Sequence, residues 1–155
     1  MNEIEWVCKS FNTLTPCELY AIIQLRNEVF VIEQNCVFQD ADGKDQKCYH
    51  LMGYAAGKLA AYARLVPAGI SYTFISIGRI VTSPKYRNKG AGKALLNTAI
   101  EKCNQLFGEQ TIKIGAQLYL KNFYESFGFL QVGEVYDEDG IPHIEMLRSV
   151  RMLPN

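Results

Sequence analysis

The segment 72–108 constrains the fold more than any other part of the sequence. It opens with a β-branched run, "YTFISIGRIVTS", which stops at Pro84 and predicts a strand. A basic stretch with two glycines follows, and the apolar positions beyond Gly92 then recur at helical spacing up to Gly108. A strand, a glycine loop and a helix in this order bring free backbone N–H groups and the positive end of a helix dipole together. The segment therefore predicts an anion site.

The rest of the chain predicts a mixed α/β (α+β) sheet. Thr15, Pro16 and Glu18 have the spacing of a helix N-cap, a first helical position and a capping box, so a helix is expected from about residue 16 to about residue 30. Strands are expected at 4–9, on both sides of an Ala56-Gly57 turn, at 72–83, at 111–117, and on both sides of an Asp139-Gly140 turn, with a short helix within 118–128. The predicted order is β-α-β-β-β-α-β-α-β-β, and the second to fourth strands form an antiparallel meander.

Bulk composition limits the class of partner. A chain of 155 residues, 48% of them hydrophobic, is expected to form one domain over residues 1–155. The 16 Lys and Arg residues balance the 16 Asp and Glu residues, so neither nucleic acid nor an anionic membrane surface is expected as a partner. The five cysteines are scattered without a C-x-x-C pair, which favours reduced thiols, a cytoplasmic location and no bound metal.

Two common phosphate-binding loops do not fit this stretch. A Walker A loop would need Gly where Arg87 stands and Ser or Thr where Ala94 stands. A dinucleotide fingerprint would need a third Gly at Leu95, and it would follow a parallel strand rather than a meander. ATP, GTP and nicotinamide cofactors are therefore disfavoured.

The remaining pattern is Arg87-x-x-Gly90-x-Gly92, followed downstream by Asn122 and "FYESFGF". With these two motifs in this order, the chain resembles the GNAT superfamily of N-acetyltransferases. The stretches "LRNEVFVIEQNCVFQDADGKD", "IGRIVTSPKYRNKGAGKALL" and "EVYDEDGIPHIEM" resemble its ElaA-like subgroup. The resemblance implies a GNAT-like mixed sheet in which the antiparallel meander is followed by a parallel step at the cofactor cleft.

The resemblance also implies where acetyl-CoA binds. The diphosphate is expected on backbone N–H groups of the glycine loop, and the pantetheine arm along the end of the fourth strand, where an N–H would stabilise the oxyanion. The implied cofactor residues are Ile80, Val81, Thr82, Arg87, Asn88, Lys89, Gly90, Ala91, Gly92, Lys93 and Asn122.

Tyr124 stands where the family has its general acid. A phenol is protonated at neutral pH and can donate a proton to the departing thiolate. From its spacing alone, Tyr124 is a core residue beside Leu120 and Phe127. No single general base is assigned; the candidates are Glu33, His50, His143 with Glu145, and a chain of water molecules.

Three arginines within apolar patterns need partners if they are buried. Arg26, Arg64 and Arg79 are expected to pair with Glu28, Glu33 or Glu145, or to bind a carboxylate on the acceptor. The segment "DADGKD" resembles part of a calcium loop, but Leu51 stands where an EF-hand needs Glu. It is predicted to be a turn in the acceptor cleft. The candidate acceptor residues are Arg26, Glu33, His50, Arg79 and His143.

These observations favour a cytoplasmic acetyl-CoA-dependent N-acetyltransferase that acts in a ternary complex on a small-molecule or protein amine. One alternative is a CoA-binding module without turnover. Another is an acyl-homoserine-lactone synthase, because "LRNEVFVIEQ" also resembles the N-terminal helix of that related fold. A homodimer is plausible.

Overall fold

The computed structural model describes residues 3–150, so residues 1–2 and 151–155 of the predicted domain lie outside the described part. The elements alternate as the sequence predicts. The strands are β1 (Glu5–Ser10), β2 (Tyr49–Ala55), β3 (Lys58–Val66), β4 (Ile75–Thr82), β5 (Ile112–Gln117), β6 (Leu130–Glu138) and β7 (Ile141–Arg148); the helices are α1 (Pro16–Arg26), α2 (Ala91–Phe107) and α3 (Lys121–Glu125). No helix in this part of the chain is long and apolar enough to span a membrane.

The strands form one mixed sheet in the order β1-β2-β3-β4-β5-β7-β6. The predicted antiparallel meander of β2, β3 and β4 is confirmed, and β4 and β5 form the parallel step. The turns at Ala56-Gly57 and Asp139-Gly140 have left-handed backbone angles at both residues, as two-residue hairpins require. The turn residues therefore predicted the positions of both hairpins correctly.

Helices cover the two faces of the sheet unequally. On one face α2 buries Leu95, Leu96 and Ala99 against a core that includes Ile112 and Ile144. On the other face Ile22 and Leu25 of α1, together with Val29 just beyond its end, pack against residues of β2, β3 and β4. Since side chains alternate along a strand, Lys113 and Gly115 of β5 point away from the α2 core, on the same side of the sheet as α1.

Helix α1 starts as predicted and ends differently. Glu18 Oε1 accepts the Thr15 backbone N–H at 2.8 Å, and Thr15 Oγ1 accepts the Glu18 N–H at 3.1 Å, which confirms the capping box. The α-helix ends at Arg26, and a π-helical segment, Asn27–Glu33, continues it. Ile23, predicted on the buried stripe, is 41% exposed, because the helix turns Ile22 and Leu25 toward the sheet instead.

The strands β4 and β5 separate soon after they start. They pair only at Ile75↔Ile112 and Ser76↔Lys113. On its other side β4 carries a β-bulge, because the register with β3 shifts by one residue and Arg79 takes a positive φ of 49°. Within residues 3–150, the rest of β4 has no strand partner on the β5 side. A wedge-shaped gap therefore opens between β4 and β5.

Candidate active site

The glycine loop ends at the N-terminus of α2, beside this gap. Asn88 and Gly90 have positive φ angles of 64° and 79°, and Gly90 is the residue that caps α2. In the described part of the chain, no side chain accepts a hydrogen bond from the first N–H groups of the helix. These donors and the helix dipole are therefore available to an anion.

The basic residues of the loop differ in what they contact. Arg87 donates two hydrogen bonds to the Glu33 carboxylate, at 2.6 and 2.8 Å, and these bonds lower the pKa of Glu33. Lys89 Nζ lies 5.8 Å from the centre of the Tyr86 ring, and the neighbouring Lys93 is exposed. The structure thus brings Glu33, predicted as an acceptor residue, onto the predicted cofactor loop.

The end of β4 carries the three predicted thioester-side residues. Ile80 is partly buried against the α2 core, whereas Val81 is buried under α1. The Thr82 carbonyl accepts a hydrogen bond from Arg87 at 3.5 Å. Arg79 and Ile80 have no register partner on β3, and between residues 3 and 150 β4 pairs with β5 only at Ile75 and Ser76, so backbone groups near Arg79 and Ile80 are left without a strand partner at the gap.

Helix α3 brings Tyr124 to the same region. A methyl group at Gly92 would lie 3.9 Å from Cζ of Phe123, so α3 lies against the first turn of α2. Tyr124 is 6% exposed, and the rings of Phe123 and Phe129 pack against it edge-on. Burial raises its pKa, and its hydroxyl donates to no other residue between residues 3 and 150. Tyr124 therefore offers a neutral, free hydroxyl, and Asn122 is exposed on the same helix.

A buried ion-pair network anchors the 40–45 loop to the sheet. Its six members are Arg26, Asp40, Asp42, Asp45, Arg64 and Arg79. Arg26 Nε lies 2.7 Å from Asp40 Oδ2, and Arg26 Nη1 lies 2.8 Å from Asp45 Oδ1. The Arg26 side chain is only 2% exposed, so both contacts are shielded from water.

The other two arginines join the same loop. Arg64 donates two hydrogen bonds to Asp42, both at 2.8 Å, and a third to Asp45 at 2.9 Å. Arg79 Nε lies 2.8 Å from Asp40 Oδ1, but the two groups are not aligned as a hydrogen bond. The expectation that these arginines need carboxylate partners is confirmed, whereas the predicted partners Glu28, Glu33 and Glu145 are wrong. The aspartates of the loop are the partners instead, because the loop folds back over α1, β3 and β4 and places them beside the arginines.

His50 is part of this anchored region. Its Nδ1 lies 2.7 Å from the Tyr62 hydroxyl and its Nε2 lies 2.9 Å from the Asp45 carbonyl oxygen. The residue is fully buried, and burial lowers its pKa. Both ring nitrogens are therefore already occupied by protein atoms.

A second charged cluster lies on β5 and β7, beyond the gap. We name the side chains of Tyr72, Lys113, Tyr136 and Glu145, which surround Gly115, the aromatic-acidic cage. A methyl group at Gly115 would lie 3.0 Å from the Tyr72 hydroxyl and 3.2 Å from that of Tyr136. Lys113 Nζ lies 2.6 Å from Glu145 Oε2 and 4.8 Å from the centre of the Tyr72 ring. Both hydroxyl groups therefore lie close over Gly115, where a larger residue would push them back.

His143 borders the cage from β7. Its Nε2 lies 3.2 Å from Glu138 Oε2, its Nδ1 lies 2.7 Å from the Ile141 carbonyl oxygen, and its ring lies 5.9 Å from that of Tyr136. Gln117 Nε2 donates to Gln34 Oε1 at 3.2 Å, which ties β5 to the end of the π-helical segment. The structure thus separates His143 from His50, which lies in the network.

Sequence reasoning missed both halves of this arrangement. The sequence predicts only a turn for Asp40, Asp42 and Asp45, whereas in the structure they are the carboxylate partners of two buried arginines and of the partly exposed Arg79. Tyr72 and Tyr136 were not singled out, since one lies in a loop and the other on an edge strand. A usable signal was the stretch 130–147, which contains five acidic residues and no Lys or Arg.

Residues 21–150 match the sequence profile of the family described as Acetyltransferase (GNAT) domain. This match covers most of the chain, including the glycine loop, the bulged strand and α3. The chain belongs to the GNAT acetyltransferase family. Like other members, it folds as a mixed sheet with one parallel pair, and this confirms the predicted fold class.

Relatives within the GNAT family confirm the predicted ElaA-like subgroup. The chain is 42% identical to the protein ElaA of Escherichia coli K12 over 149 residues, which is 95% of this chain and 97% of that relative. The crystal structure of Escherichia coli ElaA superposes with a TM-score of 0.89 at 41% identity, over 95% of this chain and 100% of the other. An acyl-CoA N-acyltransferase from Pseudomonas aeruginosa superposes with a TM-score of 0.91, also at 41% identity, with the same coverage. The family and fold place this protein among the N-acyltransferases.

Proposed function

We propose that the protein transfers an acetyl group from acetyl-CoA to an amine, by direct attack in a ternary complex. The observation that carries this proposal is the meeting of three features at one place. The gap between β4 and β5 opens beside the uncapped N-terminus of α2 and beside the free hydroxyl of Tyr124. Together these offer an anion site, an unpaired strand edge and a proton donor, which are the groups that acyl transfer from a thioester needs.

The glycine loop and α2 would hold the diphosphate of the donor. In this proposal the backbone N–H groups of residues 87–93 donate to the phosphates, and the positive φ of Gly90 lets the chain come close. Arg87 and Lys89 add positive charge, and Asn122 donates a hydrogen bond from α3. The unpaired edge of β4 at Ile80, Val81 and Thr82 orients the pantetheine arm as an added strand would be oriented.

Acetyl-CoA would supply an activated acetyl group. The protein would then provide a proton for the departing sulfur atom and a route for the proton that leaves the amine. Tyr124 remains protonated because burial raises its pKa, so it can donate to the departing sulfur atom. Glu33, His50 and His143 are each engaged by a protein partner. This favours loss of the amine proton through water at the open side of the gap, and the general base stays without a single assigned residue.

The location and assembly of the protein remain part of the proposal. We treat residues 1–155 as one N-acetyltransferase domain, and we expect a cytoplasmic protein because all five cysteines, which lie within the described range, are free thiols. A homodimer stays a prediction, and light scattering at several concentrations tests it.

The experiment that tests the function combines binding and turnover. Purified protein is titrated with CoA in a calorimeter, and free thiol is then measured with acetyl-CoA and a panel of amines. We expect CoA to bind and thiol to appear only when a suitable amine is present. Tight CoA binding without thiol release across the whole panel would instead support a CoA-binding module, and absence of CoA binding would overturn the proposal.

A further inference from the structure

The aromatic-acidic cage already holds an ammonium group. The Lys113 ammonium lies against the Glu145 carboxylate and over the face of the Tyr72 ring. A carboxylate together with an aromatic face is the combination that binds alkylammonium ions, through charge and the quadrupole of the ring. The side chain of Lys113 therefore shows which kind of group this surface accepts.

Lys113 forms an ion pair with Glu145 but does not bind the two tyrosine hydroxyl groups of the cage. Glu145 Oε2 is buried, yet its contact with Lys113 lacks the alignment of a hydrogen bond. The hydroxyl groups of Tyr72 and Tyr136 point at Gly115 and make no hydrogen bond to any side chain or backbone group between residues 3 and 150. Tyr72 and Tyr136 are only half-buried and Gly115 is exposed, so the two hydroxyl groups are accessible from solvent and available to a ligand with N–H donors.

The surroundings of the cage are negative. The β6–β7 stretch 130–147 contains Glu134, Asp137, Glu138, Asp139 and Glu145 and no Lys or Arg. Burial and the negative charges of Glu145 and Glu138, together with Tyr136, raise the pKa of Tyr72 to about 12. The hydroxyl groups thus stay protonated in a field that attracts cations and repels carboxylates.

The cage lies close enough to the gap for one short ligand to extend from one to the other. Gly115 precedes Gln117, at the end of β5, by two residues, which is about 7 Å along a strand. Ser76 pairs with Lys113, and Ile80 and Gln117 each follow four residues later on the two strands that border the gap, where the thioester is expected. A ligand bound in the cage would therefore reach the reacting group through a short aliphatic chain.

We propose that the acceptor is an aliphatic diamine or polyamine, whose distal ammonium group binds to Glu145, Tyr72 and Tyr136 over Gly115 while its other amine attacks the thioester. This inference rests on the proposed acetyl transfer and names its acceptor class. The bound ammonium takes the place of Lys113 on Glu145. Lys113 is then displaced toward solvent, since its side chain is already 23% exposed.

The test compares three acceptors that share one reactive amine and differ at the far end of the chain. Putrescine carries a second ammonium, butylamine a methyl group, and γ-aminobutyrate a carboxylate. We expect putrescine to have a kcat/KM about tenfold above that of butylamine, with γ-aminobutyrate below both. Calorimetry with saturating CoA measures binding of the same three compounds and does not depend on turnover.

Two variants separate the cage from a general structural effect. Glu145→Gln should raise the KM for putrescine about tenfold, and Lys113→Met should lower it about fivefold, because the competing ammonium is gone. Glu134→Gln is the matched control, with the same change at an exposed site on the neighbouring strand, and should leave all three acceptors as in the wild type. Affinity for CoA should be the same in every variant.

The results distinguish this inference from the proposed function. If putrescine binds in the calorimeter with this preference but no acceptor releases thiol, the acetyl transfer is wrong and the ammonium site stands. If acceptors are turned over without preference for a distal ammonium, the transfer stands and the cage is not the acceptor site. A preference for γ-aminobutyrate that Lys113→Met abolishes would reverse the assignment and make Lys113 a carboxylate-binding residue.

Discussion

The buried ion-pair network and the aromatic-acidic cage lie on the same side of the sheet and contain similar kinds of charged groups, yet they differ in how many ion pairs each charged group forms and in how far the groups are exposed. In the network Arg26 has two carboxylate partners and is 2% exposed at its side chain. In the cage Lys113 has one carboxylate partner, and two hydroxyl groups have none among the described residues. A cluster in which each arginine pairs with more than one carboxylate holds a loop in place, whereas a cluster with a single ion pair and accessible hydroxyl groups can take a ligand.

Removal of a network arginine should have the largest effect. Arg26→Met removes the most deeply buried cation of the network and leaves Asp40 with Arg79 alone and Asp45 with Arg64 alone, and we expect the free energy of unfolding in urea to fall by about 3–5 kcal/mol. The control is Lys9→Met, which breaks an ion pair with Glu18 whose side chains are 32% and 17% exposed. That loss should stay below about 1 kcal/mol. Equal losses in the two variants would contradict a structural role for the network.

Removal of the Tyr124 hydroxyl should have the next largest effect, on rate and not on stability. Tyr124→Phe keeps the ring among Phe123 and Phe129, so unfolding should change little, while kcat falls about 100-fold because the departing thiolate loses its acid. Tyr119→Phe, at a residue 75% exposed beside it, is the control. Wild-type turnover by Tyr124→Phe would remove this residue from the mechanism.

Low pH should destabilise the folded protein by protonating the network carboxylates, and the loss should be smaller in a variant that lacks one of them. Burial alone would raise the pKa of Asp42 and of Asp45, but hydrogen bonds and charge from Arg64 and Arg26 hold both below the usual range. A carboxylate whose pKa is lower in the folded state stabilises the fold above its unfolded pKa of about 3.9, and that stability is lost as pH falls further. The urea midpoint should therefore drop from about pH 5 downward, and less steeply in Asp42→Asn. Parallel curves for the two proteins would contradict this.

The smallest effect concerns the exposed pair of Arg87 and Glu33. Glu33→Gln frees Arg87 for the diphosphate, so we expect CoA to bind up to about fivefold more tightly, since exposed ion pairs contribute at most about 1 kcal/mol. Calorimetric titration measures this, and Glu28→Gln serves as the control on the same π-helical segment. Weaker CoA binding in Glu33→Gln would indicate that the ion pair stabilises the conformation of the loop, and that Glu33 does not compete with the diphosphate for Arg87.

The secondary-structure elements of the sheet were easier to predict from the sequence than the side-chain contacts between distant segments. The order of helices and strands along the chain followed from local signals such as the Ala56-Gly57 turn and the Gly90 loop, each of which acts over a few residues. The partners of Arg26 and Arg64 could not be read in this way, because Asp40, Asp42 and Asp45 belong to a loop without periodicity and reach them only after the chain folds back. The π-helical end of α1 was missed for a related reason, since its packing and not its composition decides where the α-helix stops.

The cage illustrates the same limit at the candidate site. Tyr72, Gly115 and Tyr136 come from a loop, a central strand and an edge strand, and no motif spans them. Tyr124 and the glycine loop were accessible from sequence because each lies within a short motif typical of the family. The sequence therefore allows a prediction of cofactor-binding residues, which stays a prediction, whereas the acceptor side depends on contacts between distant segments.

The bulge at Arg79 has a consequence for the order in which the molecule folds. Its unusual backbone is held by Asp40, 39 residues earlier in the chain, while the surrounding β3–β4 hairpin pairs locally. Contacts between distant residues form late, because closing a long loop costs entropy before it gains energy. A folding intermediate can thus have a complete meander and still lack the shaped edge of β4, so the strand edge that we propose for the pantetheine arm is expected to form after the sheet around it.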